Sequence, residues 1–79
     1  MVESDEWTRE AFTGAALGRG HSAAAARSAW DKVVRSLDTN GKLTNIQLRD
    51  VLDGGLEFFP GTTNEWTVFS DLAGRLLRL

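Results

Sequence analysis

The sequence predicts an all-α fold, a compact bundle of about four short helices with a central helix-turn-helix joint. Two observations lead there. Apolar residues recur at steps of three and four in four separate segments, and each segment is bounded by residues that cap or stop helices. A third narrows the means of stabilisation: with no cysteine and one histidine, neither disulfides nor a Cys/His zinc site can hold the fold, so helix packing or association with a partner must. A chain of 79 residues makes one domain, spanning 1–79. It hides only about 60–65% of the surface its unfolded chain exposes. Stability is thin at that size.

The first helix is expected from Ser4 to Leu17, with Ser4 as N-cap. Asp5 and Glu6 would lie in the first turn and Trp7, Ala11, Phe12 and Ala15 on one face. Gly18 and Gly20 stop it, and Ser22 caps the second helix. That helix carries the most regular period in the chain, Ala23, Ala26, Trp30, Val33 and Leu37, with Asp31 and Arg35 spaced to pair on its outer side. Trp30, mid-helix on this stripe, is the expected centre of the core. Thr44 and Gln47 have capping-box spacing, opening a short third helix over residues 45–53 with Ile46, Leu48, Val51 and Leu52 as its apolar stripe. Residues 56–61 form a connector, because Pro60 disfavours a helical Phe59. The rival expectation is a short strand over residues 56–59 pairing with Lys42-Leu43 or with another chain. Thr62 and Glu65 repeat the capping-box spacing before a fourth helix bearing Trp66, Phe69, Leu72, Ala73, Leu76 and Leu79.

The joint itself is Asp38-Thr39-Asn40-Gly41, whose side chains suit turn geometry and whose glycine suits positive φ. From Trp30 to Leu52 the chain resembles an EF-hand. Val34 and Leu37 stand where the incoming helix is apolar, Asp38-x-Asn40-Gly41 where the loop starts, and Leu43 where the loop's apolar residue pairs with a sister hand. Gln47 takes the last-ligand place. The match omits two loop residues between Gly41 and Lys42, and Gln47 replaces a bidentate glutamate. The resemblance therefore implies a shortened, calcium-incompetent hand in which Asp38, Asn40 and Gln47 are the residues a cation would meet.

Chemical signatures are otherwise missing from the sequence. His21 stands at a helix start with no nucleophile elbow near it and is expected to be solvated. Gly18-x-Gly20 and Gly54-Gly55 lack phosphate-loop spacing. A net charge of -2 with mixed signs gives no footprint for a phosphate backbone, and the third helix offers Arg49 alone as a basic reader. No run approaches a membrane span and the first residues are acidic, so the expected location is cytoplasmic.

Seven large aromatic rings are many for so small a core, and Phe58 and Phe59 are consecutive in the connector. The sequence therefore predicts a partner-binding surface of Phe58, Phe59, Trp66, Leu76, Leu77 and Leu79. The expected function is a non-enzymatic protein–protein interaction module (adaptor, inhibitor or assembly factor), needing no cofactor and binding another protein or itself. The alternatives are a cation-responsive EF-hand-like module and a small DNA-binding regulator.

Overall fold

In the computed structural model, which describes residues 6–78, the chain opens with a two-residue strand, β1 (Glu6–Trp7), followed by helix α1 (Arg9–Gly18). Ser4, the expected N-cap, lies outside the described residues; Thr8 is the cap, its side chain accepting the Ala11 N–H at 3.1 Å. The reason is that Trp7 is taken into a ladder. It pairs antiparallel with Leu43, and Glu6 with Thr44, in the second strand, β2 (Leu43–Thr44). A two-residue pairing has no local period to betray it, and its partner lies far along the chain.

Helix α2 (Ala23–Leu37) begins where its period begins, with the Ser22 hydroxyl accepting the Ala25 N–H at 3.0 Å. It ends at Asp38, whose left-handed backbone (φ 55°) lets two amides return to the last carbonyls. Asp31 turns away from Arg35 to meet Arg9 of α1 at 3.5 Å. Helix α3 (Asn45–Gly54) opens on a complete capping box: the Thr44 hydroxyl accepts the Gln47 N–H at 3.1 Å, and Gln47 Oε1 accepts the Thr44 N–H at 2.9 Å.

Residues 55–58 form a 3₁₀ turn rather than a strand. Helix α4 (Thr63–Leu76) follows. Its expected capping box does not form: the Thr62 N–H (3.1 Å) and hydroxyl (3.3 Å) both donate to the Phe59 carbonyl, and Glu65 faces Lys32 of α2 at 3.5 Å.

The four helices form an all-α bundle with α2 against both α1 and α4, and the ribbon β1–β2 ties the segment before α1 to the segment before α3. The core runs along a row of rings. Phe12 stacks tilted on Trp30 (5.0 Å between centroids) and on Phe69 (5.2 Å), and Phe69 meets Phe59 (5.7 Å). Trp30 is 1% exposed, as its place on the stripe requires. Among the described residues no helix is long and apolar enough to cross a membrane.

Candidate functional site

The surface expected from the connector and the last helix is not one exposed face. Phe59 is buried between Phe69 and Trp66 and belongs to the core. Phe58 is half-buried, its ring lying over Gly54 so closely that a Cβ there would sit 2.6 Å from it. The 3₁₀ turn resolves what looked like a geometric conflict. It rotates successive residues by about 120°, and the chain leaves it at once, so two consecutive phenylalanines both reach apolar surroundings. Trp66, Leu76 and Leu77 are half-buried against the core, and Leu79 lies outside the described residues.

Of these half-buried residues, Leu77 lies beside an apolar residue that the sequence places inside. Ile46 is 72% exposed, the most exposed large apolar residue among those described. The helical wheel explains why. Ile46 precedes Leu48 by two residues, about 200° around α3, while Leu48 and Val51 hold the buried side. Angular position, not apolar character, was the signal available in the sequence.

Ile46 and Leu77 border a shallow hollow of about 270 Å³ together with Asn45, Arg49 and Asp50. Its position is fixed from two directions. The capping box sets the first turn of α3, and Trp7 Nε1 donates to Asn45 Oδ1 at 2.7 Å, tying β1 to the same turn. Arg49 and Asp50 are exposed and form no ion pair with another described residue. The hollow thus combines an aliphatic knob, an aliphatic wall and one charge of each sign.

Two of the three cation candidates, Asn40 and Gln47, are engaged elsewhere. Gln47 Oε1 is held by the Thr44 amide, and Asn40 Oδ1 accepts the Lys42 N–H at 3.4 Å. Thr39 Oγ1 accepts the Gly41 N–H at 3.2 Å, and the Gly41 carbonyl accepts the Trp30 indole N–H at 3.1 Å. Asp38 is exposed at the end of α2. No group of three or more His, Cys, Asp or Glu is arranged to hold a metal among the described residues.

His21 departs from expectation. It is half-buried, and its Nε2 lies 2.8 Å from Asp71 Oδ2 of α4. Arg19 reaches the same carboxylate with two nitrogens, each at 3.3 Å. Hydrogen bonding to His21 and then to Arg19 holds the Asp71 carboxyl below its ordinary value, against a smaller opposing effect of burial. The cluster fastens the α1–α2 turn to α4. Nothing in the sequence marks a contact across such a separation.

Comparison with family models, curated proteins and solved structures finds no match for this chain.

Proposed function

We propose that the protein is a non-enzymatic protein-interaction module, working as an adaptor, inhibitor or assembly factor, and that it binds through the α3–α4 face centred on Ile46 and Leu77. The observation that carries the reading is the isoleucine. A β-branched aliphatic side chain left 72% exposed beside a hollow with an apolar wall is the kind of anchor that association buries. The rigid seat supports it: the capping box and the Trp7–Asn45 bond hold the anchor's turn in place before any partner arrives. The titratable groups that meet across elements support the non-enzymatic part. Arg19 and His21 both bind Asp71, Lys32 binds Glu65 and Arg9 binds Asp31, and each set joins two helices or a turn to a helix.

The test compares the proteins retained from host lysate by the tagged full chain, by Ile46→Glu and by Leu56→Glu, a substitution at a second exposed apolar residue on the connector. All three should keep the same helicity, since both side chains stand mostly in solvent. Retention is expected from the wild type and Leu56→Glu and lost with Ile46→Glu. An identical retained set for Ile46→Glu, together with self-association that Ile46→Glu leaves unchanged, overturns the reading.

A further inference from the structure

We infer that the occupant of this face is a second copy of the chain, joined about a two-fold axis running along α3. The inference rests on reading the Ile46 face as an interaction surface, and it adds the identity of the partner.

Three features make the face complementary to itself. First, knob and hollow lie side by side: Ile46 projects at the rim of a shallow space of about 270 Å³ walled in part by Leu77. A two-fold operation sets the Ile46 of each copy against the Ile46 of the other and the hollow bordering it, so both knobs are covered in one contact. Second, the charges divide about Ile46. At 100° per residue, Arg49 projects about 60° to one side of Ile46 and Asp50 about 40° to the other. With the axis along α3, the Arg49 flank of one copy meets the Asp50 flank of the other, and the pairing occurs twice. Neither residue is paired to another described residue, so no existing bond is broken to make it. Third, a net charge of -2 per chain sets only slight repulsion between copies.

The same geometry limits the strength. Asp53 lies two turns beyond Ile46 on nearly the same face, so the two copies bring their Asp53 carboxylates together and the helices diverge there. Contact is confined to the first turns of α3 and the end of α4. A face this small belongs with interfaces burying less than about 1,200 Å² in total, which are weak and transient.

The experiment is sedimentation equilibrium of the full chain from about 10 μM to about 1 mM, with circular dichroism to confirm helicity. The wild type should show a monomer–dimer equilibrium in the upper part of this range, and Ile46→Glu should remain monomeric while fully helical. Arg49→Asp and Asp50→Arg should each weaken the dimer by about tenfold, since each replaces two attractions with two repulsions. The double exchange should return to within about threefold of the wild type, because it restores opposite charges across the axis. Three outcomes overturn the dimer: a wild type monomeric at about 1 mM, a dimer indifferent to Ile46→Glu, or a double exchange no better than the single ones. A monomeric wild type whose lysate partners still depend on Ile46 removes the second copy and keeps the face. Loss of both dependences removes the face as well.

Discussion

Trp30 acts at two places at once. Its ring packs on Phe12 in the core, and its indole N–H reaches out of the core to the Gly41 carbonyl of the joint, so one side chain links the bundle to the turn that positions α3. The two contributions separate by substitution. Trp30→Ala removes the ring and leaves a cavity, and should cost about 3–5 kcal/mol, enough to unfold a domain of this size. Trp30→Phe keeps much of the packing and loses the hydrogen bond. Gly41 is exposed, so water can take the donor's place, and beyond any packing loss the bond itself should cost only about 0.5–1.5 kcal/mol. Urea denaturation of the three proteins checks both values. A Trp30→Ala protein with a midpoint near that of the wild type contradicts this role, and so does a Trp30→Phe protein as damaged as Trp30→Ala.

At the scale of elements, the joint between α2 and α3 is held by its own polar groups, which leaves few oxygens for a cation. Gln47 closes the capping box and Asn40 closes its own turn, so a calcium ion would have to break bonds already made to gain two neutral oxygens and one carboxylate. Thermal melts in excess calcium and in chelator should therefore share one midpoint, and a rise of several degrees with calcium would defeat the argument. Thr44→Ala should instead cost about 0.5–2 kcal/mol through the lost cap. Much of this architecture was legible in the sequence because it is local: the steps of three and four from Ala23 to Leu37, Ser22 as a cap, and the Thr44–Gln47 spacing each lie within one element. What was not legible depends on distant partners or on direction. Trp7 leaves the first helix because Leu43 offers it a ladder, Thr62 abandons its cap for the Phe59 carbonyl, and Ile46 faces outward although its character matches the stripe. The candidate site was legible only through Leu77, since its other half required knowing which way α3 turns.

Over the whole molecule, the longest-range polar connection among those described is the clasp of Arg19 and His21 on Asp71, spanning 52 and 50 residues. It closes the bundle by fixing the α1–α2 turn onto α4, beside a core that α4 shares with α2. The clasp implies a pH dependence of definite sign. Asp71 ionises more readily in the fold than in the unfolded chain, whose ordinary value is 3.8, because His21 and then Arg19 favour the charged form. A carboxylate lowered in this way contributes its full stability above the unfolded value. As pH falls through 3.8 and then through the folded value, the unfolded chain takes up the proton first and the contribution drains away. Asp71→Asn removes the titration while keeping the size of the side chain. The variant should be less stable than the wild type at about pH 7, and the gap should narrow as pH is lowered to about 2.5. Other carboxylates titrate in both proteins and cancel in the difference. Added salt should shrink the gap at neutral pH in part, because Asp71 is 31% exposed and its ion pairs are screened accordingly. Urea unfolding of both proteins across that range measures the gap directly, and a gap that stays constant with pH would show that the clasp contributes by shape alone and not through the charge on Asp71.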